Sequence, residues 1–241
     1  MVSYSLFSDK GNRDNNEDYV GNGSNGEMQC FILADGLGGH GRGEVASQLV
    51  VEEGINLLSK YNDLERYVSK AFEIAQEKLL KYQNLQHAKN EMKSTEVILA
   101  LNGQQAVWGH VGDSRLYVFK GHKVKKRTMD HSYVQNLCRA GRIKEKDIRN
   151  HPDRNVVLRV MGIQWDKPAY EMADSIKLKK NMSFLLCTDG FWELILEKDM
   201  EKCLKMANNP EEWIALMKTI IVNNGKNVNM DNYSAIAVWV R

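Results

Sequence analysis

Phe31-Ile32-Leu33-Ala34-Asp35-Gly36-Leu37-Gly38-Gly39-His40-Gly41 runs from an apolar segment through an acid into a cluster of glycines. Residues 27–34 are apolar enough for a buried strand, which ends abruptly at Asp35-Gly36. Gly36 to Gly41 then matches G-x-G-x-x-G between a strand and a helix, the pattern of a dinucleotide-binding turn. That unit needs a second strand ending in an acid about 20 residues further on. Here residues 44–61 read as helix, and another helix follows. Asp35 would also place a carboxylate beside a pyrophosphate. The nucleotide reading fails, and the acid at the strand end still needs a reason.

Outward from this stretch, the second helix begins at an Asn62 cap with Glu65 three residues on, a variant of the capping box. It sets Leu64, Tyr67, Val68, Ala71, Phe72, Ala75, Leu79 and Leu80 on one face. Residues 95–101, the turn Asn102-Gly103 and residues 104–110 read as a hairpin, with Asn-Gly suited to a type I′ turn. Residues 115–119 and a strand near Val124 continue it across Lys120-Gly121. Short helices are expected at 130–141, closed by Gly141, and at 144–150. Strands follow at 176–178, 184–188 and 233–240, and Pro210 opens a last helix that stops near Gly225. Tight turns favour antiparallel neighbours. Paired helices with many hairpin strands indicate an α+β sandwich rather than a doubly wound sheet. No Pro/Ser-rich linker or repeat divides residues 1–241, so a single domain is expected.

Composition excludes several classes. The 241 residues carry 33 Lys+Arg against 31 Asp+Glu, a net charge of +2, which argues against a dedicated nucleic-acid binder. A hydrophobic fraction of 43% and a charged fraction of 27% are ordinary globular values. Cys30, Cys138, Cys187 and Cys203 are scattered without a C-x-x-C pair and read as reduced thiols. No run approaches the roughly 18 apolar residues of a membrane span, and residues 1–7 lack a signal-peptide pattern. A cytoplasmic location is expected.

Acids recur at the edges of the apolar runs. Asp35-Gly36, Asp113-Ser114 and Asp189-Gly190 each follow one, and Asp231-Asn232 shortly precedes one. Asp-Gly is also a stock turn dipeptide. If the strand ends converge, however, the carboxylates would repel one another strongly at low dielectric unless cations lay between them. An all-oxygen cluster suits Mg²⁺ or Mn²⁺ rather than zinc. Upstream, Arg13 stands four and five residues ahead of Glu17 and Asp18. Its fork suits a phosphate bidentately, while a plain polar turn explains the same hexapeptide.

These segments occur in a recognisable order. Arg-x-x-x-Glu-Asp at 13–18, Asp-Gly-Leu-Gly-Gly-His-Gly at 35–41, Gly-Asp-Ser-Arg at 112–115, Cys-Thr-Asp-Gly-Phe-Trp-Glu at 187–193 and Asp-Asn-Tyr-Ser at 231–234 resemble the metal-dependent protein serine/threonine phosphatases of the PP2C (PPM) family. Residues 130–162 look like the flap of its bacterial subgroup. The resemblance spans essentially the whole chain. It implies a four-layer α-β-β-α sandwich with two central antiparallel sheets, and a centre of two Mn²⁺ or Mg²⁺ ions with a third, looser one.

By family pattern Asp35 bridges two metals, with the Gly36 carbonyl on one of them, and Asp189 and Asp231 complete the other site. Glu17 and Asp18 match acids that orient water or bind metal, and Asp113 shares the third ion with Asp189. Arg13 holds the substrate phosphate, and a metal-bridged hydroxide attacks phosphorus in line. His40 belongs to the bacterial pattern without an assigned role; Leu37 replaces the histidine that some relatives use as an acid. Lys93 and Glu96 replace small residues around the family's threonine, a departure expected to alter the strand's start or substrate contacts. The implied partners are phosphoproteins and an opposing serine/threonine kinase, met by a monomer. A poorly active regulatory module and a small-molecule phosphomonoesterase are the competing readings.

Overall fold

Alternation within unbroken apolar runs builds the core. The computed structural model describes residues 1–38, 42–89 and 91–241, so His40 lies outside the described residues. In the strand β3 (Gln29–Leu37), Phe31 and Leu33 point to one side while Cys30, Ile32 and Ala34 point to the other. Both faces are covered, which is why the run reads as continuously apolar rather than alternating. Numbered along the chain, β1 (Val2–Asp9), β2 (Asp18–Ser24) and β3 precede the helices α1 (Arg42–Leu57) and α2 (Leu64–Leu85). Next come β4 (Lys93–Ser94), β5 (Glu96–Leu101), β6 (Gln105–Val111), β7 (Arg115–Lys120) and β8 (Lys123–Arg127). The short helix α3 (Tyr133–Arg139), β9 (Glu171–Met172), β10 (Ile176–Lys177) and β11 (Met182–Cys187) follow. The chain ends with α4 (Asp189–Trp192), α5 (Glu197–Met206), α6 (Pro210–Asn224) and β12 (Tyr233–Val240).

One sheet runs β1-β12-β11-β7-β8 and the other β10-β6-β5-β3-β2, with β4 on β3 and β9 on β6; each pairing is antiparallel. Phe31, Leu33, Val97 and Leu99 meet Leu116, Phe184, Leu186 and Ile236 between the sheets. Helices α1 and α2 cover the outer face of the second sheet through Val50, Val51, Tyr67, Phe72 and Leu79. Helices α5 and α6 cover the first through Met200, Leu204, Trp213 and Met217. This is the expected four-layer α+β sandwich.

Local details differ from the sequence expectation. Asp63, not Asn62, caps α2, its carboxylate accepting the Arg66 amide at 2.7 Å. The β5–β6 loop residues are Gly103 and Gln104, and only Gly103 has positive φ (80°), so the turn is not of type I′, which needs positive φ at both. Helix α3 starts at a Ser132 cap instead of at Asp130, because Asp130 is drawn into a bidentate pair with Arg115 at 2.8 and 2.7 Å. The cysteines are free, as expected. No helix of the described residues is long and apolar enough to cross a membrane.

Glu96 is a buried acid outside the cleft chemistry. It leads β5 with 0% exposure, and neither carboxyl oxygen has a hydrogen-bond partner. Burial pushes its pKa well above the ordinary 4.5. A carboxyl raised on folding gives stability that is complete below the unfolded value and is lost as pH rises toward the folded one. Glu96→Met should therefore stabilise the fold by about 1–3 kcal/mol, the cost of an unmet buried polar group. In urea titrations the gain should be larger at about pH 8.5 than at about pH 5. An equal gain at both would mean that Glu96 carries no charge penalty.

Candidate metal centre and active site

The acids come together because the strand register forces them to. In the β2–β3 ladder Asp18 stands directly opposite Asp35, a like-charge pairing that sheets ordinarily avoid. Asp189 opens α4 straight after β11, and Asp231 lies just before β12, the neighbour of β11. Asp113 follows β6, where Gly112 turns the chain at φ 103°. Asp35, Asp113, Asp189, Asp231, Glu17 and Arg13 all line one cleft of about 540 Å³ at the edge of the sandwich, with Asp18 buried beneath Asp35. Each candidate on the described residues is thus at one site.

Backbone and side-chain bonds fix these positions. Thr95 accepts the Asp35 amide at 3.0 Å, donates its own amide to the Asp35 carbonyl at 2.8 Å, and meets the Ser114 hydroxyl at 2.8 Å. It therefore ties the Asp35 and Asp113 turns together. Asn232 accepts the Glu17 amide at 2.8 Å and donates to the carbonyls of Lys10 and Asn15 at 2.9 Å each, stitching the Arg13 loop to the Asp231 turn. The Gly36 amide donates to the Glu17 carbonyl at 2.9 Å, and a Cβ on Gly36 would collide with the Gly43 carbonyl at the start of α1. Thr95 and Asn232 carry no charge, so sequence reasoning named them only within motifs.

Arg115 follows Asp113 in its motif yet points away from the cleft. Its guanidinium lies 3.4 Å from the Trp192 ring centroid, and Trp192 donates its indole N–H to the Asp113 carbonyl at 3.0 Å. Arg115 and Trp192 thus form a rigid backing to Asp113. Lys93 pairs with Leu37 and Ser94 with Gly36, Thr95 keeps its contacts, and neither Lys93 nor Glu96 lines the cleft. The departure at 93–96 leaves the strand's start in place.

The electrostatics report unbalanced negative charge. Burial, then the neighbouring acids, pushes Asp35 well above the carboxylate range, with Asp18, Asp189, Asp113 and Asp231 all contributing. Asp18 is raised to about 8 and Asp189 to about 7, in both cases chiefly by burial and further by nearby carboxylates. Burial with Asp189 and Asp130 raises Asp113, and burial with Glu44 and Asp231 raises Glu17. Asp18 Oδ1 is buried without a hydrogen-bond partner. Convergent oxygens that suppress one another's ionisation, with a buried acceptor unmet, fit hard divalent cations. At the mouth Arg13 Nη2 donates to Asp231 Oδ2 at 2.8 Å, and its side chain is 48% exposed, within reach of an anion in the cleft.

Known proteins resemble the chain in sequence and in fold. The family model for protein phosphatase 2C matches residues 8–230. The serine/threonine phosphatase stp of Listeria monocytogenes is 32% identical over 201 residues, 80% of this chain and 79% of that protein. Protein phosphatase PhpP of Streptococcus pneumoniae is 31% identical over 201 residues, 80% of each chain. The crystal structure of serine/threonine phosphatase Stp1 from Staphylococcus aureus superposes with a TM-score of 0.90 at 27% identity, covering 100% of this chain and 96% of that one.

Proposed function

The chain belongs to the protein phosphatase 2C family, and on that premise we propose that its acidic cleft hydrolyses phosphoserine and phosphothreonine in proteins with divalent metal ions. It is a protein serine/threonine phosphatase. The observation that carries the assignment to this cleft is the convergence of Asp18, Asp35, Asp113, Asp189 and Asp231 beside Arg13. Asp35, the Gly36 carbonyl, Asp18, Asp189 and Asp231 would hold two Mn²⁺ or Mg²⁺ ions, and Asp113 with Asp189 a weaker third. Bound there, the ions would neutralise phosphoryl charge and lower the pKa of water.

The remaining work falls to the chain's own groups. Arg13 clamps the phosphoryl oxygens with its fork and orients the ester for in-line attack. Glu17, half-buried with a raised pKa, orients the attacking water and takes up its proton. Asn232 and Thr95 keep the acids at their stations. Three of the free cysteines are buried and the fourth half-buried, in keeping with a reducing compartment. We place the enzyme in the cytoplasm as a monomeric domain of residues 1–241, opposing a serine/threonine kinase.

A phosphothreonine peptide and p-nitrophenyl phosphate, each assayed with Mn²⁺, Mg²⁺ or EDTA, test this reading. The expected result is turnover of the peptide with either ion and none in EDTA. Full activity in EDTA would refute the metal centre, and hydrolysis of the small ester alone would refute the protein substrate.

A further inference from the structure

Behind Asp113 lies a group of side chains that the proposed reaction does not use. His110, His131 and Glu171 bring ligand-type atoms within 4.8 Å of one another. They do not make a metal site. The two imidazoles are stacked, with centroids 4.5 Å apart and planes 13° from parallel. Lone pairs lying in two parallel planes do not converge on one ion. The His131 ring is also committed elsewhere: its Nδ1 accepts the Gly112 amide at 3.2 Å, which leaves the ring proton of the neutral form on Nε2.

His131 grips Gly112 from both sides. Its ring takes the Gly112 N–H, and its own backbone N–H donates to the Gly112 carbonyl at 2.9 Å. Gly112 is the residue whose positive φ sends Asp113 into the cleft, and a Cβ there would strike the Thr95 side chain. On the far side of the ring, Nε2 lies 3.2 Å from Glu171 Oε1 but off the hydrogen-bond axis. The same oxygen is 3.2 Å from Arg159 Nη1. The flap also returns to His131 directly, through the Leu158 amide on the His131 carbonyl at 2.7 Å.

We propose that His131 is a positioning residue for Asp113: its neutral ring, with Glu171 at Nε2, holds the Gly112 peptide in the orientation that aims Asp113 into the cleft and couples that turn to the flap at Arg159. The proposal rests on the reading of Asp113 as a ligand of the weaker, third ion. His110 supplies the stacking surface and is itself anchored by Nε2 on the Met129 carbonyl at 2.9 Å.

His131→Asn keeps an acceptor near the Nδ1 position, and His131→Leu has none. For His131→Leu the expected result is exchange of the Gly112 amide with deuterium faster by roughly tenfold, the weight of one hydrogen bond. Calorimetric Mn²⁺ titration should show the two tight equivalents kept and the weak one lost. With a phosphopeptide, kcat should fall about tenfold while KM stays near wild type. His131→Asn should restore the Gly112 exchange rate and recover part of the weak equivalent and of kcat, because it keeps the acceptor but not the Nε2 contact with Glu171. Wild-type Gly112 exchange with a wild-type weak equivalent in His131→Leu would overturn the proposal, as would an Asn variant as impaired as Leu. Glu171→Ala alters a half-exposed side chain and keeps the proposal falsifiable should His131→Leu not fold. In Glu171→Ala the Gly112 amide, followed by deuterium exchange in the metal-free protein, should exchange faster, with weakened third-ion binding. Unchanged exchange and unchanged binding would overturn it equally. Asp113→Ala separates the two readings: if it retains the weak equivalent, the role of Asp113 is wrong, while the Gly112 exchange result still decides whether His131 holds the turn.

Discussion

Asp35→Ala should lose turnover of phosphopeptides by at least about a thousandfold, the equivalent of about 4 kcal/mol of barrier, and lose tight binding of both core ions. Its carboxyl is raised by burial and by Asp18, Asp189, Asp113 and Asp231, and it faces Asp18 across the β2–β3 ladder. Stability should move in the opposite direction. Without metal, removing Asp35 relieves burial of a charge among like charges, so the variant should melt above wild type in EDTA. Added Mn²⁺ should raise the melting temperature of wild type and not of the variant, because binding to the native state alone stabilises it. Calorimetric metal titration and thermal melts with and without EDTA read both signs. A variant that still binds two ions tightly would remove Asp35 from the core, and one that melts lower in EDTA would show that the carboxylates are not in conflict.

Arg13→Ala should cost roughly 10- to 150-fold in kcat/KM, the range for a charge-assisted hydrogen bond of about 1.5–3 kcal/mol. The loss should fall mostly on KM, with both tight ions still bound. Arg13 is half-exposed at the cleft mouth, and its one acidic partner among the described residues, Asp231 at 2.8 Å through Nη2, leaves the rest of its fork for phosphoryl oxygens. Arg13→Lys should recover only part of the loss, because an ammonium keeps the charge without the planar fork. Steady-state kinetics on a phosphothreonine peptide measure this directly. An unchanged kcat/KM would return Arg13 to an ordinary polar turn.

The order of acid-bearing motifs and the apolar runs beside them were readable from the chain because both are local. Period-two burial on both faces makes β3, β5 and β11 continuous in apolar residues. The helical face of α2 shows at its own spacing, and the acids are adjacent to these runs in sequence. Elements whose stability comes from distant partners were not legible. Strand β2, Asp-Tyr-Val-Gly-Asn-Gly-Ser, has poor strand propensity and persists because α1 packs so closely over it that a Cβ on Gly21 would press on Ile55 and Val51. Helix α5 is mostly charged, and its buried apolar residues are only Met200, Cys203 and Leu204. Of the site, charge and order came from the sequence. Register set Asp18 against Asp35, and Thr95, Asn232, Trp192 and His131 acquired their roles only in the folded chain. Each is an uncharged donor or acceptor whose partner lies far away in sequence or across a turn, and no local pattern encodes which of many such groups a sheet will bring within 3 Å or so of a backbone amide.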